Sequence, residues 1–306
     1  MHFFDLHCDT LYEMFTKDKE ILKNDLNIDI ERSLKYRPYI GCFAVWIPDN
    51  MRGKNAFDFF NKVSKKLYEQ ESLYGKYFKI CKSFEDIKNL KERKGIILTV
   101  EGSAALGGKI KNISFLYKSG VRVMTLTWNG KCEVGDGVDF EGGLSNFGYE
   151  VIKKMEETGI IVDVSHASEK LFYDVSQIAS KPFIATHSNS RAVCSHKRNL
   201  TDEQFETIKS VKGLVGITFC NYFISDKKQA CFDDLLRHVE YFLERGGENI
   251  LAIGSDFDGA ELPDGISGIE SVEKIYENFL KYNYSERLLN KIFFENAYNF
   301  MRLNLT

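Results

Sequence analysis

Proline is scarce in this chain, four in 306 residues, and no stretch rich in glycine and serine or in charge of one sign interrupts it. Nothing therefore marks an interdomain linker, and a single domain over residues 1–306 is expected. No run approaches the ~20 apolar residues of a membrane-spanning helix. No apolar leader precedes Phe3-Phe4-Asp5-Leu6 either, so a cytoplasmic location without membrane association is expected. The 41 Lys and Arg are mixed among 44 Asp and Glu, which leaves no basic stripe for nucleic acid and no polybasic patch for lipid. The cysteines (Cys8, Cys42, Cys81, Cys132, Cys194, Cys220 and Cys231) include no C-x-x-C pair. They read as reduced thiols, most of them filling the core. A G-x-S-x-G elbow, a phosphate-binding P-loop and an H-E-x-x-H helix are all missing, which removes the common serine-hydrolase, nucleotide and zincin readings. A small-molecule partner is the default that remains.

What is present is alternation. Short β-rich runs at 2–7, 40–47, 95–100, 121–127, 159–164, 182–186, 213–219 and 249–254 are separated by longer segments of helical period, the pattern of an α/β fold with parallel strands. Phe57, Phe60, Val63 and Leu67 form one helical stripe, and Leu235, Leu236, Val239, Phe242 and Leu243 form another that stops at Gly246-Gly247. Thr201 and Gln204 have capping-box spacing, and Ser83 and Ser168 are candidate N-caps. Eight strands predict a (β/α)8 TIM-type barrel. The competing doubly wound sheet usually carries a glycine-rich turn after its first strand, where this chain has His7-Cys8-Asp9.

Acids and imidazoles recur where the apolar runs stop. His7 and Asp9 share a face at the end of the first strand, and imidazole with carboxylate suits Zn²⁺ or a similar divalent ion. Ile96-Ile97-Leu98-Thr99-Val100 ends on Glu101, which must be paired or metal-bound if it points inward, as a bridging ligand would be. Two successive strands deliver His166 and His187 at the same end, and the last delivers Asp256 and Asp258. Each alone could be an ordinary core residue or helix cap, and the two-Asp loop could bind Ca²⁺, although it lacks the ligand ladder of an EF-hand. In a closed parallel barrel their shared position makes them one site, a two-metal hydrolase centre, with Asp256 suited to acid and base work. Arg198, eleven residues after His187, could grip a carboxylate bidentately or be a solvated surface cation. His2 and His238 read as structural. Gly107-Gly108 and the group Gly135, Gly137, Gly142 and Gly143 are expected to permit turns at the barrel mouth.

These residues resemble the membrane (renal) dipeptidase family of zinc metallopeptidases. The resemblance runs through Asp5 to Thr10 (Asp-Leu-His-Cys-Asp-Thr), Glu101-Gly102, Gly120-Val121-Arg122 with Thr125-Leu126-Thr127, Asp163-Val164-Ser165-His166, Thr186-His187-Ser188, Arg198-Asn199 and Gly254 to Gly259. It implies two zinc ions, one held by His7 and Asp9, one by His166 and His187, with Glu101 bridging. It also implies that Arg198 holds the free carboxylate of a small dipeptide and that Asp256 is the acid/base, near the substrate amino group. Barrel hydrolases related to this family tend to open with H-x-H and to bridge through a modified Lys; this chain opens with H-x-D and offers Glu101. A homodimer is what the family suggests. In its animal members a His, thought to contact the scissile carbonyl, follows Thr-Leu-Thr, whereas here Trp128 and then Asn129 stand in the substrate-binding stretch. Oxyanion stabilisation is then expected to come more from metal, water or Asn129, or the substrate differs. The substitution keeps open two other readings, an amidohydrolase of another small amide, ester or lactone and a metal-binding barrel without peptidase activity.

Overall fold

In the computed structural model, which describes residues 1–305, the strands are β1 (Phe3–Cys8), β2 (Tyr39–Trp46), β3 (Phe78–Ile80), β4 (Lys94–Glu101), β5 (Val121–Thr125), β6 (Ile161–Asp163), β7 (Val215–Ile217) and β8 (Leu251–Ile253). Seven of them run in the order β6-β5-β4-β2-β1-β8-β7 with every pairing parallel. Each is linked to the next by a segment containing helix, as parallel strands require. Among the described residues no helix is long and apolar enough to cross a membrane.

Alternation along the strands divides the apolar side chains into two clusters. One draws Phe4, Leu6, Ile40, Cys42, Ile97, Val123, Ile161 and Ala252 from successive strands and is closed at one end by Phe294, Phe300 and Met301 of the C-terminal helical segment. The other places Ile96, Leu98 and Val100 against Ala56, Phe60, Val63 and Leu67 of the helix Gly53–Tyr74. Both expected helical stripes face this core: Phe60, Val63 and Leu67 are buried and Phe57 half-buried, and in the helix Phe232–Glu244 Leu235, Leu236, Val239 and Phe242 are buried and Leu243 half-buried, after which Gly246 takes a left-handed φ of 77°. Thr201 and Gln204 form the reciprocal capping box, Ser83 does the same with Asp86, and Ser168 accepts from the Leu171 N–H.

Two sequence expectations need correction. A strand was expected at 182–186, but the segment makes only isolated parallel bridges, Ile184 with Asp163 and Ala185 with Val215. Pro182 has no N–H to give and the Thr186 N–H goes to the Asp163 carboxylate, which leaves two paired residues: Ile184 donates to the Val162 carbonyl and accepts from the Val164 N–H, and Ala185 donates to Leu214 and accepts from Gly216. Conversely β3 was not anticipated. Its three residues are too few to show a period, and it pairs with residues 94–96 of β4, ahead of the stretch 98–101 that pairs with β5.

The 183–186 segment comes very close to its neighbours. A Cβ added at Gly216 or Gly254 would lie 1.8 Å or 1.7 Å from the Thr186 carbonyl oxygen, so only glycine lets the three chains meet. Gly216→Ala and Gly254→Ala are each expected to destabilise the protein by at least the roughly 1–3 kcal/mol of an overpacked core, measured as a lowered urea midpoint. An unchanged midpoint would contradict this close approach.

Candidate metal centre

The strand ends bring the five expected donors together. His7 Nε2 lies 3.4 Å from Asp9 Oδ2, 3.8 Å from Glu101 Oε2 and 3.9 Å from Asp256 Oδ1. The other Glu101 oxygen, Oε1, lies 2.8 Å from His166 Nε2 and 3.5 Å from His187 Nε2. The two imidazole nitrogens are themselves 2.8 Å apart. Two groups of potential ligand atoms, from His7, Glu101 and His187 and from His7, Asp9 and Asp256, each fall within 4.8 Å. All these side chains are buried.

Two buried carboxylates not singled out from the sequence hold these ends in place. Asp163 accepts from the hydroxyls of Thr125 and Thr186, both at 2.6 Å, and from the N–H groups of Ser165 at 3.0 Å and Thr186 at 2.9 Å. Asp5 accepts from the Ser255 hydroxyl at 2.6 Å and N–H at 2.8 Å, and from the His7 N–H at 3.3 Å. The Asp163 contacts also set a tautomer. Thr186 gives its one hydroxyl proton to Asp163, so His187 Nδ1, 2.9 Å from the same oxygen, must donate to it. His187 Nε2 is then a lone pair turned toward Glu101.

Charge follows from burial. Removal from water raises Glu101 well above the carboxylate range, with Asp9 adding to it, and raises Asp256 and Asp258 to about 6 each. Burial alone would lower His7, but Glu101, Asp9 and Asp256 around it push it up to about 10. His166 and His187 are driven well below the usual imidazole value by burial, then by the cationic neighbours Arg198 and His7. The cluster is thus acid-rich, with two neutral imidazoles.

The chemistry of this donor set fits divalent metal. Asp9 Oδ1 is buried without a hydrogen-bond partner, a costly condition unless a cation supplies the missing contact. Imidazole and carboxylate together are the donors that zinc-like ions take.

A cavity of about 410 Å³ opens on Asp9, Glu101, Asn129, His166 and Asp256, with Tyr12, Trp46, Trp128, Tyr222 and Phe223 as its aromatic wall. Trp128 meets Trp46 edge-on at 5.0 Å, and Trp46 meets Tyr12 at 4.9 Å. Asn129 places its side-chain oxygen 2.7 Å from His166 Nδ1. Arg198 is not on the main wall. It is buried just behind it, donating to the His187 carbonyl at 3.3 Å, with its guanidinium 5.2 Å from the Phe223 ring and its Nε unpartnered. Asp258 turns aside to accept from the Thr10 hydroxyl at 2.5 Å and the Asn27 N–H at 2.7 Å. His238 is structural, bonded to the Ser190 N–H and the Ile224 carbonyl.

A sequence model of the membrane dipeptidase family, peptidase family M19, matches residues 1–304. The chain belongs to this family. Relatives include an uncharacterized protein from the pqqA 5′ region of Klebsiella pneumoniae, 32% identical over 71% of this chain and 86% of that protein. Another, from the PQQ-III 3′ region of Acinetobacter calcoaceticus, is 31% identical over 72% of this chain and 79% of that one. Among solved structures, a family M19 metallopeptidase called dipeptidase AC superposes with a TM-score of 0.94 at 25% identity, over 100% of this chain and 99% of that one. A metallopeptidase from Rhodobacter sphaeroides, liganded with a phosphinate mimic of the dipeptide L-Ala-D-Ala, has the same fold, with a TM-score of 0.93 at 24% identity over 99% of each chain. Membership makes this chain a metal-dependent dipeptidase.

The backbone is strained where this family site is built. Of the seven non-glycine residues with positive φ among the described residues, three are His166 (66°), Asp256 (62°) and Asp258 (67°), a concentration typical of functional geometry. Gly259 was not recognised in the sequence as a site residue; its only signal is its place at the end of the Asp-Phe-Asp-Gly stretch. A Cβ there would lie 2.1 Å from Asp9 Oδ2 and 2.6 Å from Asp256 Oδ1. Gly259→Ala is therefore expected to weaken divalent-metal affinity by roughly 10- to 100-fold, as displaced ligand supports do, with little change in the far-UV circular dichroism. Wild-type affinity in a chelator competition would rule out this contact.

Proposed function

We propose that this dipeptidase uses two divalent ions, zinc being the best match to its donors, on a complete (β/α)8 barrel formed by one domain. The barrel reading is supported by the parallel bridges that the 183–185 segment makes to β6 on one side and β7 on the other. The observation that carries the function is the convergence of the five donors and an acid beside one cavity of about 410 Å³, a volume within the range of small-molecule sites.

His7 and Asp9 would hold one ion and His166 and His187 the other. Glu101 would bridge, since one of its oxygens faces His7 and the other faces the His166 and His187 pair. When bound, the ions supply a water acidified toward neutral pH and polarise the scissile carbonyl. The remaining work belongs to side chains. Arg198, with an unpartnered Nε behind the wall, would take the free carboxylate of the dipeptide. Asp256, raised to about 6, would accept the proton of the attacking water at Oδ1 and return it to the leaving amine. The aromatic wall that includes Trp128 would exclude water and pack the substrate side chains.

Metal content and dipeptide turnover test this reading. Glu101→Gln is expected to lose one metal equivalent and to lower turnover by more than the roughly 10- to 100-fold typical of outer-shell changes. Full activity after loss of one ion would sink the bridging role. Arg198→Met is expected to reduce kcat/KM for dipeptides by two orders of magnitude or more, as unpairing a buried charge costs roughly 2–5 kcal/mol, while a dipeptide with an amidated C-terminus changes little. Equal losses on both substrates would remove Arg198 from carboxylate recognition. Trp128 favours a second reading, hydrolysis of another small amide, ester or lactone; comparing L,L and L,D dipeptides with acyl amino acids and lactones separates the two.

A further inference from the structure

We propose that Asn129 is a positioning residue for the second ion: its side-chain oxygen fixes the tautomer and tilt of His166. The inference rests on the two-metal reading above and deepens it. His166 Nδ1 lies 2.7 Å from Asn129 Oδ1, while Nε2 faces Glu101 Oε1 and His187 Nε2, both at 2.8 Å. An amide oxygen can only accept. The proton therefore sits on Nδ1, and Nε2 presents a lone pair. The same end state is reached at His187 by a different device, the Thr186 hydroxyl backed by Asp163. Both imidazoles thereby present lone pairs toward Glu101 Oε1, three donor atoms that one cation can take together.

The loop that follows β5 holds both members of the Asn129–His166 pair. The Asp139 N–H donates to the Asn129 carbonyl at 3.0 Å, and the Val138 N–H donates to the His166 carbonyl at 2.9 Å. The Thr127 hydroxyl donates to that His166 carbonyl as well, at 3.2 Å. Gly137 closes against them without a side chain; a Cβ there would fall 2.0 Å from the Trp128 carbonyl oxygen and 2.5 Å from that of Asn129. The Gly130 N–H is anchored on Asp49 Oδ2 at 2.8 Å. The geometry uses the Asn129 oxygen to orient a ligand, a role distinct from donating an N–H to the substrate oxyanion.

The test measures ion binding and proton position. In zinc-loaded wild type, long-range proton–nitrogen correlation spectra should show His166 protonated at Nδ1 only. Asn129→Leu, which keeps the shape and removes the acceptor, should weaken the second zinc equivalent by roughly 10- to 100-fold and leave the first unchanged. Asn129→Asp, which keeps an acceptor oxygen, should restore it. A proton on His166 Nε2, wild-type affinity for the second ion in Asn129→Leu, or no restoration in Asn129→Asp would each overturn the assignment. The spectrum needs no variant, and none of these readouts uses a peptide, so they stand or fall separately from the dipeptide assays.

Discussion

The buried carboxylate of Asp163 is the contact on which the rest of the site depends. A carboxylate without exposure is several kcal/mol unfavourable unless its oxygens are hydrogen-bonded, and here both are: two hydroxyls reach one oxygen and two N–H groups the other. Those donors come from the ends of β5, β6 and the 183–186 segment. Satisfying one charge thus fixes three chain ends at once, including the segment limited to two paired residues. The same contact dictates the proton on His187. Asp5 repeats the arrangement across the sheet, joining β1 to the residues after β8 through Ser255. Burial raises it to about 7, against the bonds from Ser255.

From these fixed ends the electrostatics of the centre follow. The His166 and His187 nitrogens, which would separate in water, are held 2.8 Å apart, and His7 is held 3.9 Å from Asp256. Part of the strain is visible as left-handed φ at His166, Asp256 and Asp258, and part as glycines that cannot be replaced where carboxylates crowd, as at Gly259. Preorganisation of this kind lets an ion enter without rearranging its ligands. The unfavourable contacts among acceptors are the complement of a positive charge.

Glu101 was legible because the apolar run 96–100 ends on it, whereas β1, where period two placed His7 and Asp9 on one face, is irregular between Asp5 and Cys8 and stops before Asp9. Ile97, Thr99 and Glu101 alternate on β4, so an inward apolar residue early in the strand implies an inward carboxylate at its end. Residues after a strand were legible only as a set: His166 and His187 gained meaning from each other. Backbone approach leaves little trace in sequence. The approach of Gly216 and Gly254 to the Thr186 carbonyl is set by tertiary placement, and β3 was too short to show a period. Arg198 was open between a carboxylate grip and a surface cation until the family resemblance favoured the first, and its depth behind Phe223 is a tertiary fact. Asp5 and Asp163 were overlooked for a physical reason. Their partners, Ser255 and Thr186, are 250 and 23 residues away, and a lone Asp inside an apolar run does not reveal which hydroxyls will meet it.

The departure at Trp128 is confined by this framework. Its ring packs edge-on against Trp46, itself packed on Tyr12, and lies 6.2 Å from the His166 ring. A bulky indole here extends the aromatic wall and brings one N–H donor at most. The next residue, Asn129, bonds the back of His166 rather than the Trp128 side of the wall. The two neighbours therefore face different parts of the site: Trp128 forms part of the cavity wall, and Asn129 bonds the His166 ring. Indole at position 128 thus reshapes the wall while the contacts that Asp163, Thr186 and Asn129 make around His166 and His187 remain as they are.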